Sequence, residues 1–275
     1  MVVVVKAGGR LIAGPETRAQ ILSDIARLAD SGEKIVFVHG GGDIVTEYSR
    51  RMGVEPRFVV SPSGIRSRYT GPEELEVYVM VMAGKLNKEI VASLNRGANR
   101  AIGVTGADCS ILLAERKKRI IILNEKGRKQ VIPGGYTGKI KSVNRECLDK
   151  LLEQVNIVVV SPLALGTEGE LLNVDGDQAA ASIATALQAK TLVLLTDVPG
   201  VILDDKVLEK IPLSQAETTA KKTGYGMNRK ILMAAKAVEN GVGAAIIAPG
   251  NTEHPVTRAL RGETGTRIEP QLKSY

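Results

Sequence analysis

The sequence predicts an α/β protein, a three-layer αβα sandwich built on an open and mainly parallel central sheet. Short runs rich in valine and isoleucine recur along the 275 residues, and most are separated by segments with helical periodicity. Strands that alternate with helices pair in parallel and are covered on both faces. With 44% hydrophobic and 24% charged residues, the chain has a globular composition, which excludes disorder and a collagen-like fibre.

The predicted elements follow one another in order along the chain. Strands are predicted at residues 2–5, 34–38, 100–104, 156–160, 191–195 and 244–248. Helices are predicted at residues 16–29, 73–94, 177–187 and 228–240. The strand segments are short and rich in β-branched residues, whereas the helical segments are longer and repeat their apolar residues every three or four positions.

Two β-hairpin insertions interrupt this alternation. In residues 111–143, apolar strands are separated by the basic sequence Glu-Arg-Lys-Lys-Arg at 115–119 and by Asn-Glu-Lys-Gly at 124–127, which is a turn signal. We expect this hairpin to be an insertion in the first half of the fold. A second hairpin is predicted at 201–208, around an Asp-Asp pair.

A junction between two lobes is predicted in the loop 162–169. The first lobe would comprise residues 1–167 and the second residues 168–275.

The cysteines and the apolar runs indicate the cellular compartment. Cys109 and Cys147 lack a CxxC motif and a neighbouring histidine, so we expect reduced, buried thiols and neither a zinc site nor a disulfide framework. No apolar run approaches the roughly 18 residues of a membrane helix, and no signal peptide is evident, so a cytoplasmic protein with no membrane partner is predicted.

The net charge of +7 is concentrated in one segment. Residues 115–145 contain ten basic and two acidic residues, and the rest of the chain is almost neutral. Such a segment favours an anionic partner, although it could also simply protect an edge strand. Tyr136 is its only aromatic residue, which argues against single-stranded nucleic acid as the partner because such binding usually adds aromatic stacking.

Three glycine clusters lie at the carboxyl ends of predicted strands, where open α/β sheets bind their ligands. They are residues 6–9 (Lys-Ala-Gly-Gly), 39–42 (His-Gly-Gly-Gly) and 103–106 (Gly-Val-Thr-Gly). Glycine allows positive φ and lets backbone N–H groups approach a phosphate closely. One cluster alone would usually be a tight turn, whereas three together indicate anion binding.

Several common enzyme motifs do not fit this sequence. No GxGxxG opens a helix, and the sequence closest to a Walker loop, residues 134–139, has Pro133 in place of its first glycine and Ile140 in place of serine or threonine. The chain has two histidines, His39 and His254, and no GxSxG. These observations disfavour P-loop and Rossmann nucleotide sites and catalysis by a Ser/His/Asp or Cys/His set.

Two lysines and a carboxylate remain as candidates for chemistry. Lys6 ends the first predicted strand, Lys230 lies at the start of a helix, and Asp177 directly precedes another helix. Each also has an ordinary structural interpretation, since the lysines could be surface charges and Asp177 could be an N-cap.

Taken together and in this order, the motifs resemble the amino acid kinase superfamily, most closely its acetylglutamate kinase branch. The resemblance covers nearly the whole chain, from Val2 to Ile268, and implies the amino acid kinase fold. The matching segments are residues 6–9, 39–42, 64–66 (Gly-Ile-Arg), 172–177 (Leu-Asn-Val-Asp-Gly-Asp), 196–200 (Thr-Asp-Val-Pro-Gly), 226–230 (Gly-Met-Asn-Arg-Lys) and 265–268 (Gly-Thr-Arg-Ile).

The resemblance implies transfer of a phosphoryl group from ATP to a side-chain carboxylate, which yields an acyl phosphate. A carboxylate is already a deprotonated nucleophile, so catalysis consists of positioning and charge neutralisation. By match to the family, Lys6 and Lys230 would stabilise the transferred group and Asp177 would hold both lysines. The match also implies phosphate contacts by Gly8 and Gly9, acceptor contacts by Gly41, Gly42, Arg66 and Asn173, and a nucleotide pocket of Thr196, Asp197, Gly200, Tyr225 and Met227.

The resemblance also implies that the first lobe binds the acceptor and forms a homodimer, and that the second lobe binds ATP. Mg²⁺ would arrive with the nucleotide, and no acidic cluster requires a direct metal site.

The sequence departs from the acetylglutamate kinase pattern at the predicted acceptor site. Residues 64–70 (Gly-Ile-Arg-Ser-Arg-Tyr-Thr) are longer than usual and carry a second arginine, and Asp43 replaces the usual proline. Together with residues 115–119 and 134–139, they resemble the kinases of a carrier-protein route to lysine. Those enzymes phosphorylate α-aminoadipate, or glutamate in the arginine branch, while its amino group is attached to LysW, a small acidic carrier protein. The implied carrier-binding residues are Arg68, Arg116, Lys117, Lys118 and Arg119.

Several alternatives remain open from the sequence. The nearest is an acetylglutamate kinase that acts on the free small molecule. From other classes, the chain could be a nucleotide-binding or storage module without chemistry, or a nucleic-acid binder. The presence of Lys6, Asp177 and Lys230 argues against lost catalysis. The sequence does not distinguish α-aminoadipate from glutamate as the acceptor, because one methylene changes binding by only about 1–3 kcal/mol.

Overall fold

A mainly parallel sheet of 11 strands forms the centre of the protein. The computed structural model describes residues 1–64, 66–98 and 100–270. The strands are β1 (Val2–Ala7), β2 (Lys34–His39), β3 (Arg57–Val60), β4 (Arg66–Tyr69), β5 (Ala101–Gly106), β6 (Leu112–Arg116), β7 (Arg119–Leu123), β8 (Lys129–Pro133), β9 (Gly138–Val143), β10 (Ile157–Gly166), β11 (Leu171–Asn173), β12 (Thr191–Thr196), β13 (Ile202–Leu203), β14 (Lys206–Val207), β15 (Lys210–Pro212), β16 (Ala244–Pro249) and β17 (Thr266–Glu269). The order in the main sheet is β15-β17-β16-β12-β1-β2-β10-β6-β9, with β5 and β11 also paired to β10.

Helices connect most of the parallel strands. They are α1 (Gly9–Ala13), α2 (Pro15–Asp30), α3 (Gly42–Arg51), α4 (Pro72–Val79), α5 (Asn87–Leu94), α6 (Arg145–Gln154), α7 (Gly176–Leu187), α8 (Ala216–Lys221), α9 (Tyr225–Glu239) and α10 (Pro255–Leu260). The predicted helix 73–94 is found as α4 and α5 joined by a π-helical segment, Met80–Leu86. Over the part of the chain described, no helix is both long and apolar enough to cross a membrane.

The sheet has a hydrophobic layer on each face. Successive side chains of a strand point to opposite faces, so Val4 of β1 packs in the cluster that contains Ala180 of α7 and Ile231 of α9. Val5 packs in the second cluster, which contains Ile25 of α2. Both clusters contain fully buried valines and isoleucines from the strands. The predicted α/β fold, a sandwich with a mainly parallel central sheet, is confirmed.

The predicted loop at residues 162–169 is wrong over most of its length. Pro162 to Gly166 continue strand β10, where Leu163 and Ala164 are buried and pair with Asn173 and Leu172 of β11. The proline and glycine suggested a loop, but the apolar residues between them complete the core. Only a short turn separates β10 from β11, and the lobe boundary after residue 167 stays a prediction.

Both predicted hairpins are found. β7 and β8 form a separate two-stranded sheet, and β6 pairs antiparallel with β9 at the edge of the main sheet. β13 and β14 form the second hairpin, whose turn residues Asp204 and Asp205 have φ values of 50° and 58°. Positive φ at both central residues is typical of the tight type I′ turn.

Two local predictions require correction. The third glycine cluster is part of a strand and does not follow one, since residues 103–106 lie within β5, where a Cβ on Gly103 would come within 2.1 Å of the Asn87 side chain. This glycine therefore permits close packing of α5 on the strand. The two thiols are not both buried as expected, since Cys109 is exposed and Cys147 half-buried. Cys109 lies in the short turn that follows β5, at Asp108–Ser110.

Candidate active site

Lys6, Asp177 and Lys230 form one cluster near the carboxyl ends of the central strands. The Lys6 Nζ lies 2.7 Å from Asp177 Oδ1, and the Lys230 Nζ donates a hydrogen bond of 2.7 Å to Asp177 Oδ2. The three side chains are 10–15% exposed. One carboxylate therefore holds two ammonium groups in fixed positions, which is the arrangement that the family resemblance implied.

Three different elements bring these side chains together. Lys6 lies near the end of β1, Asp177 in the first turn of α7, and Lys230 in the early part of α9. The N-cap of α7 is Asp175 rather than Asp177, since the Asp175 carboxylate accepts the Gln178 N–H at 2.9 Å. The capping interpretation of Asp177 is thus wrong, and its carboxylate is left to pair with the lysines.

The two lysines determine the charge state of Asp177. Burial alone would raise the pKa of Asp177, but the charges and hydrogen bonds of Lys6 and Lys230 outweigh it and hold that pKa well below its usual range. Burial and the charge of Lys6 lower the pKa of Lys230. Asp177 is therefore ionised at neutral pH, and the cluster carries an excess positive charge that suits a phosphoryl group.

The glycine turns after β1 and β2 lie against each other beside Lys6. A Cβ on Gly40 would come within 2.7 Å of the Gly9 nitrogen, and one on Gly9 within 3.1 Å of the Gly42 nitrogen. A side chain at Gly40 would thus collide with backbone. Helix α3 begins at Gly42, so its first N–H groups are available to an anion at this point.

A cleft of about 600 Å³ opens on the Lys6 side of the cluster. We call it the acceptor cleft. All four predicted acceptor residues line it: Gly41, Gly42, Arg66 and Asn173. The Arg66 guanidinium stacks 3.7 Å from the Phe58 ring centre, and Asn173 Nδ2 donates to Thr70 Oγ1 at 2.9 Å.

A second cleft, of about 340 Å³, opens on the Lys230 side and is called the nucleotide cleft here. Among the predicted phosphate and nucleotide residues, its lining includes Gly8, Gly9, Thr196, Asp197 and Met227. Gly9 lines both clefts. The clefts therefore meet at the cluster of lysines and aspartate.

The remaining predicted nucleotide residues are Gly200 and Tyr225. Gly200 lines neither cleft, and a Cβ there would come within 2.8 Å of Thr266 Oγ1, so this glycine serves close packing between the turn after β12 and β17. Tyr225 begins α9, but its side chain lies outside the described part of the structure.

The structure adds site residues that the sequence analysis missed. Arg10 lines the nucleotide cleft and its Nη1 lies 2.7 Å from Asp197 Oδ2. Arg229 lines the acceptor cleft and pairs with Asp175 at 3.3 Å. Arg10 directly follows the motif at residues 6–9, and Arg229 lies inside the motif at residues 226–230, so the charged residues in and beside the motifs were the signal that would have found both.

Of the predicted carrier-binding residues, Arg68 and Lys117 line the acceptor cleft. Partial burial and nearby Arg229 lower the pKa of Lys117. Arg116 is held inside its own segment, since its Nε donates to the Gly135 carbonyl at 2.7 Å. Lys118 pairs with Glu168 at 3.0 Å, and Arg119 is exposed.

Arg68 is held by contacts within the fold. Its side chain is 9% exposed, forms an ion pair with Glu74 and donates to the Gly42 carbonyl at 2.8 Å. These contacts attach β4 to α3 and α4 and hold Arg68 in the wall of the acceptor cleft. Its predicted contact with the carrier stays a prediction.

His39 connects the second glycine turn to the π-helical segment. Its Nε2 lies 2.8 Å from Ser161 Oγ, which donates to the Met82 carbonyl at 2.7 Å. The side chain is fully buried, and burial lowers the pKa of His39 to about 4. The imidazole is therefore neutral at physiological pH and serves as a structural link.

This buried histidine predicts an acid-sensitive step in stability. Because the pKa of His39 is lower in the folded than in the unfolded state, the unfolded state binds more protons between pH 6.5 and about 4. The free energy of unfolding should therefore decrease as the pH is lowered from 6.5 to about 4. His39 should account for about 3 kcal/mol of this decrease. Urea unfolding of the wild type and of His39→Asn measures it, and parallel pH profiles for the two proteins would contradict the prediction.

Comparison with known proteins identifies the family. Residues 1–249 match the model of the amino acid kinase family. A "[LysW]-aminoadipate/[LysW]-glutamate kinase" of Saccharolobus islandicus is 51% identical over 259 residues, covering 94% of this chain and 96% of that protein. The protein of the same name from Sulfolobus acidocaldarius is 50% identical over 268 residues, covering 97% of this chain and 100% of that protein.

Solved structures agree with the family match. N-acetylglutamate synthase from Neisseria gonorrhoeae superimposes with a TM-score of 0.81 at 26% identity, over 98% of this chain and 59% of that chain. Carbamate kinase from Giardia lamblia, at 19% identity, shares the fold with a TM-score of 0.70 over 98% of each chain. With the family model matched over most of the sequence and half of the residues shared with two full-length relatives, the chain belongs to the amino acid kinase family.

Proposed function

We propose that the protein transfers the γ-phosphoryl group of ATP to the side-chain carboxylate of carrier-linked α-aminoadipate or glutamate. The main support is the meeting of two clefts at the cluster of Lys6, Asp177 and Lys230. One cleft suits the acceptor and the other the nucleotide, and the cluster lies where the group would pass between them. The names of the relatives at 50–51% identity support a substrate linked to LysW.

In this mechanism an acceptor carboxylate oxygen attacks the γ-phosphorus of ATP. The new P–O bond forms as the bond to the bridging β-phosphate oxygen breaks, and that oxygen keeps the electron pair, so the products are an acyl phosphate and ADP. No proton moves. Lys6 neutralises charge on the acceptor side and Lys230 on the nucleotide side, while Asp177 keeps both ammonium groups in place.

The residues of the site suit a metal that the nucleotide carries. Both carboxylate oxygens of Asp177 already contact lysines, so this side chain offers no free ligand. Over the described residues, no group of three or more His, Cys, Asp or Glu could hold a metal ion. Mg²⁺ bound to the ATP phosphates would supply further neutralisation of their charge.

The decisive experiment compares acceptors. With ATP, we expect acyl phosphate from α-aminoadipate or glutamate linked through its amino group to the carrier, and much slower turnover of free N-acetylglutamate. Trapping with hydroxylamine measures the product. The reverse order would favour the acetylglutamate kinase alternative.

Lys117 provides a more specific prediction. Lys117→Met removes a positive charge from the acceptor cleft while keeping the length of the side chain. We expect KM for the carrier-linked acceptor to rise by about 3–10-fold, as for loss of one partly exposed charge contact, with KM for ATP unchanged. Lys126→Met is the matched control, since Lys126 is an exposed lysine of the same hairpin that lines neither cleft and is not among the predicted carrier-binding residues. Equal effects of the two substitutions would contradict a specific role for Lys117.

The other predictions from the resemblance are kept as part of this proposal. We infer a cytoplasmic homodimer that uses no nucleic acid. Size-exclusion chromatography with light scattering tests the dimer, for which a mass near twice 29.3 kDa is expected.

A further inference from the structure

The two cysteines lie beside each other where the chain enters and leaves the strands β6 to β9. We call this part of the chain the β6–β9 insertion. Cys109 is in the short turn that precedes β6, and Cys147 is in the first turn of α6, which follows β9. The insertion is closed at this end, since Leu112 of β6 pairs with Val143 of β9. The cysteines therefore flank its base.

Asn144 connects the backbones of the two cysteines. Its Oδ1 accepts the Cys147 N–H at 3.1 Å, which makes Asn144 the N-cap of α6. Its Nδ2 donates to the Cys109 carbonyl at 2.9 Å and lies 4.0 Å from Cys109 Sγ. One side chain thus holds the turn and the start of the helix together, so the two thiols are kept close to each other.

The thiols are in contact but differ in their surroundings. Burial, together with a hydrogen bond between the two side chains, raises the pKa of Cys147 to about 11. Cys109 is exposed, whereas Cys147 is half-buried. An exposed thiol meets an oxidant from the solvent first, because access limits the reaction. The half-buried thiol beside it is placed to react second.

Packing explains only one of these cysteines. Cys147 packs against the hydrophobic cluster that contains Leu148 and Leu152, where cysteine serves as a small apolar residue. Among the described residues, Cys109 belongs to neither cluster of the core. Its φ of 51° is a conformation that favours glycine, asparagine or aspartate. Neither the core nor the turn therefore requires a cysteine at this position.

We propose that Cys109 and Cys147 form an intramolecular disulfide when the protein meets a low-molecular-weight disulfide, and that this bond fastens the base of the β6–β9 insertion. The Cys109 thiolate attacks one sulfur of the oxidant, whose S–S bond breaks and releases one thiolate. The Cys147 thiolate then attacks the Cys109 sulfur and releases the second thiolate. Each cysteine gives up one proton to a released thiolate, and the two electrons reduce the oxidant to two thiols.

The bond would act on the wall of the acceptor cleft through the insertion. Lys117 and Thr137 belong to that wall and lie inside the closed loop, whereas neither cysteine lines a cleft. A disulfide that closes a loop of about 40 residues restricts the unfolded chain and so stabilises the fold. The expected result is a more stable insertion in the oxidised protein.

The test compares the wild-type protein before and after oxidation by glutathione disulfide. The intact mass should decrease by two hydrogen atoms without a glutathione adduct, and both free thiols should be lost. We expect the melting temperature to rise by about 5–10 °C. Amide hydrogen exchange in β6 and β9 should slow by about 10-fold or more, while the β13–β14 hairpin, outside the closed loop, keeps its rates.

Two single substitutions separate the cross-link from simple modification. Cys147→Ser should accumulate a stable glutathione adduct at Cys109, and Cys109→Ser should gain no stability on oxidation. Each variant is compared with its own reduced form, so any loss of stability from the substitution itself does not enter. Persistent free thiols, a lasting adduct or dimers joined through Cys109 in the wild type would overturn the proposal. A disulfide that changes neither melting temperature nor exchange rates would refute the fastening role.

Discussion

Lys230→Ala is expected to lower kcat by about 10²–10³-fold and to change KM for either substrate only a few fold. Lys230 lies between the nucleotide cleft and Asp177, to which it donates a hydrogen bond of 2.7 Å. Charge on the oxygens of the transferred group and of the leaving phosphate increases toward the transition state, so an ammonium group fixed at this point acts mainly there. Loss of such a contact lowers kcat and kcat/KM together.

Steady-state kinetics with the carrier-linked acceptor and ATP provide the measurement. Lys221→Ala is the matched control, because it removes an exposed lysine from the neighbouring helix α8 that lines neither cleft. A variant with unchanged kcat and a greatly raised KM for ATP would show that Lys230 binds the nucleotide equally in the ground state. The assignment to the transition state would then be wrong.

Asp177→Asn should affect both stability and activity. It leaves Lys6 and Lys230 buried without their common carboxylate, and removal of one member of a buried ionic cluster costs about 3–5 kcal/mol. At neutral pH we expect the free energy of unfolding to fall by this amount, or by less if a lysine becomes neutral. The value of kcat should fall at least as far as in Lys230→Ala, because both lysines lose their orientation.

The pH dependence of this effect has a definite sign. Since the pKa of Asp177 is lowered in the folded state, its stabilisation is fully present above the unfolded pKa of about 4 and is lost as pH falls below it. The stability difference between wild type and variant should thus decrease with acidification below pH 4. Asp175→Asn is the control, because asparagine can also cap α7 and should change stability by less than about 1 kcal/mol. An equal loss of stability in the two variants would show that the ionic cluster contributes nothing of its own.

Local patterns predicted the order of the elements but failed where local and long-range signals conflict. Residues 162–166 contain proline and glycine, which are typical of a loop, yet they complete a buried strand because β11 pairs with them. Asp177 has the sequence position of an N-cap, but Asp175 occupies that place. Arg68 is indistinguishable in sequence from a surface arginine, and only its contacts with Glu74 and Gly42 show that it is buried.

The fold class, the family resemblance and the residue types of the site could all be predicted from the sequence, because short-range periodicity, glycine turns and ordered motifs record these properties directly. The assembly of the site could not be predicted in this way. Asp177 and Lys230 lie 53 positions apart in the chain, and their contact depends on how α7 and α9 pack on the sheet. The meeting of the two clefts at Gly9 likewise depends on packing between distant segments, which no local pattern records.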